Sequence, residues 1–171
     1  QLLKRSILLV GFDAEEKGLL GSKYFIENPT IDKMNIITMI NMDMIGKMKD
    51  STAMVGGTGT SPLFEPLLDS LSKISNLNLE YDQAGYGPSD HASFYAEDIP
   101  VLFFFTGDYD GHYHLPEDDW GKINSSGEKQ ILEIIYKAVI ELSRNEVRPS
   151  FTIAGPKKRP TQRRNQKVKL G

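Results

Sequence analysis

Acidic residues and histidines follow three apolar segments of this sequence, in an arrangement suited to metal binding. One segment is followed by Asp13-Ala14-Glu15-Glu16, a second leads to Asp43, and a third leads to a loop that holds His112 and His114. Carboxylate oxygens and imidazole nitrogens are both ligands of zinc and related divalent ions. If the three segment ends converge, the sequence predicts a divalent-metal site.

Glu15 and Glu16 are adjacent, and adjacent residues do not share a face of a helix. We therefore expect the pair in the irregular turn before a helix. There one carboxylate can bind a metal while its neighbour acts as a general base. The alternative is that two acidic residues simply favour a helix N-terminus.

Asp43 lies within an apolar segment, where an unpartnered carboxylate is costly. It therefore needs a metal, a basic group or a hydrogen-bond network, and backbone amides are the simplest alternative. His112 and His114 are two residues apart and share a face if the backbone is extended. The spacing leaves open whether both histidines or only one is a ligand.

The run Ser89-Asp90-His91 contains the residue types of a serine hydrolase. Such triads are defined by geometry and not by adjacency. The sequence also lacks the Gly-x-Ser-x-Gly elbow of that class. We therefore do not interpret this run as a serine-hydrolase site.

The elements that position these groups alternate between strands and helices. The apolar pattern predicts strands over residues 6–12, 36–45 and 99–106, the first of them a nearly continuous apolar run typical of a strand buried on both faces. Helices are predicted over residues 19–28, 62–75, 90–97 and 125–142. This order predicts a layered α/β fold.

Composition excludes several classes of protein. The chain has 171 residues, with 39% hydrophobic and 25% charged residues, as expected for one ordinary globular domain. The absence of cysteine excludes a disulfide scaffold and a thiol nucleophile. No apolar window is long enough to predict a transmembrane helix, and the first residues do not resemble a signal peptide.

The basic residues are unevenly distributed. Residues 157–171 hold seven of the 20 basic residues and none of the 23 acidic ones. No aromatic residues interleave with these charges, so a solvated linker is favoured over a nucleic-acid contact. We predict a globular part over residues 1–148 and a basic linker or tail over residues 149–171.

Four motifs resemble, in order, those of one family. They are GFDAEEKGLLGS at residues 11–22, INMDMIG at 40–46, PSDHASF at 88–94 and YHLPED at 113–118. Together they are similar to the conserved motifs of metallopeptidase family twenty-eight. These zinc-dependent exopeptidases include bacterial and vacuolar aminopeptidases, glutamate carboxypeptidase and glutaminyl cyclase.

The resemblance implies an α/β fold with three α/β/α layers and a mixed, mostly parallel sheet. It also implies a role for each matching residue. Glu15 is expected to be the general base for the attacking water. Glu16 and His114 are expected to bind one zinc ion and Asp43 the other. Tyr113 is expected to donate a hydrogen bond to the oxyanion of the tetrahedral intermediate.

The same resemblance assigns the remaining histidines. It selects His114 over His112 as the ligand. Asp90 and His91 are expected to hold the metal ligands in position without binding the metal themselves.

The chain also departs from the family pattern. The family's first zinc-binding histidine and its bridging aspartate precede the Glu-Glu motif, and nothing upstream of Ser6 supplies them. We therefore expect either an incomplete metal site or a protein truncated at its amino terminus. In the second case residues 1–148 are the carboxy-terminal part of a zinc-peptidase catalytic domain. At the other end, residues 168–171 resemble the entry into a PDZ-like domain.

The expected function is zinc-dependent exopeptidase activity on peptides, most simply that of an aminopeptidase with two zinc ions per complete site. The expected location is extracytoplasmic, either periplasmic or secreted. Glutaminyl cyclase and a non-catalytic binding domain on the same fold remain alternatives. The sequence predicts no nucleic-acid partner and leaves the oligomeric state open.

Overall fold

The structure, a computed structural model, describes residues 3–107 and 111–158. Four strands form one sheet in the order β1-β4-β2-β3. The pairs β1–β4 and β2–β3 are parallel, and β2–β4 is antiparallel. The sheet is therefore mixed and mostly parallel, as predicted. The strands are β1 (Met39–Met42), β2 (Thr52–Gly56), β3 (Asn78–Asp82) and β4 (Val101–Phe105).

Helices cover both faces of this sheet. On one face Leu102 and Phe104 of β4 pack against α2 and α4, and on the other Val101 packs with α1 and α3. The alternation of side chains along β4 separates the two cores. The predicted three-layer α/β/α fold is confirmed. The helices are α1 (Leu20–Glu27), α2 (Phe64–Ser72), α3 (His91–Tyr95) and α4 (Ser125–Arg144).

Short 3₁₀ turns join these elements, and local chemistry fixes several boundaries. The longest helix, α4, begins where the side chain of Asn124 accepts a hydrogen bond from the backbone N–H of Gly127. The 3₁₀ turns are Glu15–Lys17, Lys33–Asn35, Ile45–Lys47, Thr58–Thr60 and Trp120–Lys122.

The predicted strand over residues 6–12 is wrong. Within the described residues this segment pairs with none of the four strands, and Ile7, Leu8, Leu9 and Val10 are exposed. Only its last residue, Phe12, enters a core, where its ring lies 5.9 Å from that of Phe94. An apolar run predicts a tendency to be buried, but a strand also needs a neighbour with which to exchange hydrogen bonds.

Two strands of the sheet were not predicted. In β2 only Ala53 and Val55 point into the core, so its apolar alternation is short and ends in glycine. β3 lies at the sheet edge and alternates half-buried Leu79 and Tyr81 with exposed polar residues. Both were hidden by turn-forming and polar residues around them.

The segment after α4 returns to the sheet. The backbone N–H of Thr152 donates to the Thr60 carbonyl at 2.9 Å, and that of Ala154 donates to Tyr95 Oη at 2.9 Å. The domain boundary near residue 149 stays a prediction. Most of the basic segment, and residues 168–171 with it, lie outside the described residues. No helix in the described part of the chain is long and apolar enough to cross a membrane.

Candidate active site

The predicted site residues gather at one edge of the sheet. Asp43 directly follows β1, and the loop that carries His114 comes after β4, which is the parallel neighbour of β1. The carboxyl ends of parallel strands share an edge, and ligands of α/β sheets bind there. An open cavity of about 650 Å³ lies at this edge, and Glu15, Glu16 and Asp43 are among its lining residues.

The Glu15–Glu16 pair occupies a 3₁₀ turn before α1, as its spacing predicts. Ala14 enters the turn in the left-handed conformation (φ 56°), and Gly18 leaves it with φ 107°. The backbone N–H groups of Gly18 and Leu19 both donate to the carbonyl of Glu15. This turn leaves Glu15 half-buried and Glu16 exposed.

Burial, followed in importance by the charge of Asp43, raises the pKa of the Glu15 carboxyl above its ordinary value. The carboxylates of Asp90 and Glu16 add to this effect, and His114 opposes it. A carboxylate with a raised pKa binds a proton more readily. The electrostatics of Glu15 therefore suit a general base.

Asp43 is held by two side chains that sequence reasoning missed. The hydroxyl of Ser89 donates to Asp43 Oδ2 at 2.8 Å, and the side-chain amide of Asn41 donates to Ser89 Oγ at 2.8 Å. The backbone N–H of Asp43 donates to the Phe104 carbonyl at 3.2 Å, next to the end of the strand ladder. Asp43 Oδ2 thus has a side-chain partner and is fixed in orientation.

His114 is the histidine whose ring approaches the Glu-Glu turn. Its Nδ1 lies 3.5 Å from Glu16 Oε1, and both side chains are at least half exposed. The ring of Tyr113 contacts that of His114 in a tilted arrangement, with a centroid distance of 3.8 Å and an interplanar angle of 40°. His112 is half-buried, and its carbonyl accepts a hydrogen bond from Leu115.

Asp90 lies at the same cavity and is buried. Burial raises the pKa of its carboxyl and Asp43 adds to this, while a hydrogen bond with Ser22 lowers it. Ser22 Oγ in turn lies 2.9 Å from Ser93 Oγ, which links α1 to α3. Asp90 Oδ1 has no hydrogen-bond partner among the described residues. Asp90 thus lines the cavity with a buried carboxyl group, one oxygen of which has no partner among the described residues.

His91 lies in the interior instead. Its ring stacks on Phe103 with a centroid distance of 4.4 Å, and Gly87 leaves room for its Nε2 edge. Burial lowers the pKa of His91 to about 4, so the ring is neutral at physiological pH. In the described part of the chain its Nδ1 has no hydrogen-bond partner. Among residues 3–107 and 111–158, no hydrogen bond links His91 to the predicted metal ligands.

The donor chemistry of the site suits zinc. Glu16, Asp43 and His114 offer two carboxylates and one imidazole, which are common zinc ligands. The structure brings Glu16 and His114 together and holds Asp43 at the same cavity. Across residues 3–107 and 111–158, no group of three such side chains is close enough to hold a metal by itself.

Comparison with known proteins identifies the family of this chain. Residues 1–139 match Peptidase family M28. Aminopeptidase YwaD of Bacillus subtilis is 28% identical over 155 residues, covering 85% of this chain and 34% of the relative.

Solved structures agree with this match. LapA aminopeptidase of Legionella pneumophila has a TM-score of 0.68 and 25% identity, covering 80% of this chain and 38% of that one. BSAP, a zinc aminopeptidase from Bacillus subtilis, has a TM-score of 0.66 and 26% identity, covering 84% and 37%. The chain spans roughly a third of the length of these relatives. Because the family match covers most of the chain, the protein belongs to peptidase family M28.

Proposed function

We propose that this chain carries part of the active site of a zinc-dependent aminopeptidase, which hydrolyses the terminal peptide bond at the amino end of a peptide. The observation that carries the proposal is the approach of Glu16 to His114 beside the cavity that Glu15 and Asp43 line. The names of the relatives support it, since one is an aminopeptidase and another a zinc aminopeptidase.

Glu16, Asp43 and His114 would hold the metal, with two zinc ions expected in a complete site. Zinc, when bound, supplies Lewis-acid activation of water and of the substrate carbonyl. The Ser89 hydroxyl keeps Asp43 in one orientation through the 2.8 Å hydrogen bond to its Oδ2. Asn41 keeps the Ser89 hydroxyl aimed at Asp43 by donating to its oxygen.

Glu15 would take the proton from the attacking water at its carboxylate and return it to the leaving amine. Its raised pKa and its half-buried position at the cavity support this role. Tyr113, whose ring contacts that of His114, would donate its phenolic hydrogen to the oxyanion that develops on the carbonyl oxygen. The substrate is a peptide, and the proposed location is extracytoplasmic.

Hydrolysis of aminoacyl p-nitroanilides by the full-length protein tests the proposal. We expect activity that 1,10-phenanthroline removes and zinc restores, and little hydrolysis of the N-acetylated substrate. Cyclisation of an amino-terminal glutaminyl peptide without hydrolysis would instead indicate glutaminyl cyclase. Zinc binding without either reaction would indicate a binding domain, and both outcomes would contradict the proposal.

A further inference from the structure

We propose that the ion pair between Lys47 and Asp118 positions His114 for metal binding, and that it thereby sets the zinc affinity of the site. Lys47 Nζ donates to Asp118 Oδ1 at 2.7 Å, across 71 residues of sequence. The inference rests on the proposed function, because it takes His114 as a zinc ligand. In this view Lys47 and Asp118 are positioning residues and touch neither metal nor substrate.

The loop that carries His114 has little to hold it in place by packing. We call residues 111–119 the His114 loop. All of them except His112 are exposed, including Tyr113 and Leu115. His114 itself has a left-handed backbone (φ 60°), a conformation that the surrounding structure must stabilise. A loop with few buried apolar contacts opens locally at low cost unless polar contacts fasten it.

Both flanks of the His114 loop are fastened to residues 44–48. Before the loop, Thr106 donates through its hydroxyl to the Met44 carbonyl at 2.6 Å, and its backbone N–H donates to the same carbonyl. After the loop, the backbone N–H of Asn124 donates to the Gly46 carbonyl at 2.8 Å, and its side-chain amide donates to the Met48 carbonyl at 2.9 Å. These bonds hold the ends of the loop.

The ion pair between Lys47 and Asp118 holds the His114 loop itself, between these two attached ends. Asp118 comes four residues after His114, so its position restricts that of the ligand. The Lys47 side chain is only 14% exposed and that of Asp118 34% exposed. A pair this shielded is less screened than an ion pair in open solvent, whose contribution is small. The backbone N–H of Lys47 donates to Thr106 Oγ1 at 3.1 Å, which holds the main chain from which the lysine side chain extends.

Residues 44–48 also connect the His114 loop to Asp43, the predicted ligand of the other zinc ion. Residues 44–48 directly follow Asp43, whose carboxylate accepts a hydrogen bond from Ser89. Lys47 therefore ties the His114 loop to the backbone that carries Asp43. Outer contacts that orient metal ligands typically change metal affinity or activity 10–100-fold when removed. We expect a loss in that range when the pair is broken.

The test compares Lys47→Met, Lys47→Arg and Asp118→Asn in the full-length protein. Zinc affinity is measured by competition with a chelator, and the visible spectrum of the cobalt-substituted protein reports ligand geometry. We expect at least about tenfold weaker zinc binding and an altered cobalt spectrum in Lys47→Met and Asp118→Asn. Lys47→Arg keeps the charge and is expected to stay within about threefold of the unmodified protein.

Lys33→Met is the matched control, because Lys33 pairs with Glu97 at 2.8 Å in an exposed ion pair on another part of the surface. It is expected to leave zinc affinity unchanged. The urea midpoint of the metal-free protein separates positioning from folding, since positioning predicts little change. Asp118→Asn, on the exposed loop, gives the result if Lys47→Met does not fold.

Unchanged zinc affinity and an unchanged cobalt spectrum in Lys47→Met or Asp118→Asn would overturn this inference and leave the proposed function standing. A loss of affinity that only parallels a lowered urea midpoint, without rescue by Lys47→Arg, would also overturn it. If the unmodified protein neither binds zinc nor hydrolyses aminoacyl substrates, the proposed function is wrong, and this inference, which rests on it, is wrong as well.

Discussion

Oε1 of Glu16 lies 3.5 Å from Nδ1 of His114, although the two residues are far apart in the sequence. One belongs to the turn before α1 and the other to the loop after β4. Neither side chain is buried, so packing does not force them together. Their proximity fits a pair of side chains that share a cation.

His114 and His112 provide a matched comparison within one loop. Replacement of His114 by alanine should weaken zinc binding by more than about tenfold, because a lost ligand costs at least as much as a lost supporting contact. His112→Ala should change zinc affinity by less than about threefold. Titration calorimetry on the full-length protein measures both. Equal losses in the two variants would show that the loop, and not the His114 side chain, matters.

Ser89 should matter for the metal site although it is not a predicted ligand. Ser89→Ala removes the donor to Asp43 Oδ2 and the acceptor of the Asn41 amide. We expect zinc affinity or kcat to fall about 10–100-fold. Ser143→Ala is the control, since Ser143 is also buried but donates to a carbonyl within α4. If the two variants behave alike, the Asn41–Ser89–Asp43 network has no role at the site.

His91 makes stability depend on pH. The unfolded chain binds a proton on this residue near pH 6.5, whereas the folded protein binds it only near pH 4. Stability is therefore lost as the pH falls between these values, by up to about 3 kcal/mol. His91→Gln should flatten the dependence of the free energy of unfolding on pH, measured by urea denaturation of the metal-free protein. An unchanged slope would mean that His91 does not carry this effect.

Leu68 on α2 belongs to the core between the sheet and helices α2 and α4. Its side chain is fully buried against the sheet and α4, so Leu68→Ala should lower the free energy of unfolding by about 2–5 kcal/mol. Leu132 on α4 is 41% exposed, and Leu132→Ala should cost about 0.5 kcal/mol. Urea denaturation of both variants measures the difference. Similar costs would contradict this assignment of the core.

Much of the fold was predictable because local patterns and tertiary structure agree. The amphipathic pattern of α4 and the apolar run of β4 both gave the correct element, and the Glu15–Glu16 spacing gave the correct turn. The strand prediction for residues 6–12 was wrong because there the local pattern and the tertiary structure disagree. Their apolar side chains indicate burial, but no local pattern says which strand would lie beside them.

The supporting contacts of the site could not be predicted for a related reason. Ser89 reaches Asp43 across 46 residues, and Lys47 reaches Asp118 across 71. Serine and lysine are common, and neither their type nor their spacing in one sequence marks these partners. The tertiary fold alone brings them together: β1 and β4 end side by side and are followed by Lys47 and Asp118, while Ser89 reaches Asp43 from the residues just before α3.

Glu15→Gln tests the central claim most directly. The substitution keeps the size of the side chain and removes its capacity to take a proton. We predict that the full-length variant keeps its zinc content while kcat on an aminoacyl p-nitroanilide falls about 10²–10⁴-fold. Glu27→Gln, on the exposed end of α1, should leave both quantities unchanged. A Glu15→Gln protein that retains zinc and hydrolyses the substrate at the unmodified rate would contradict the account.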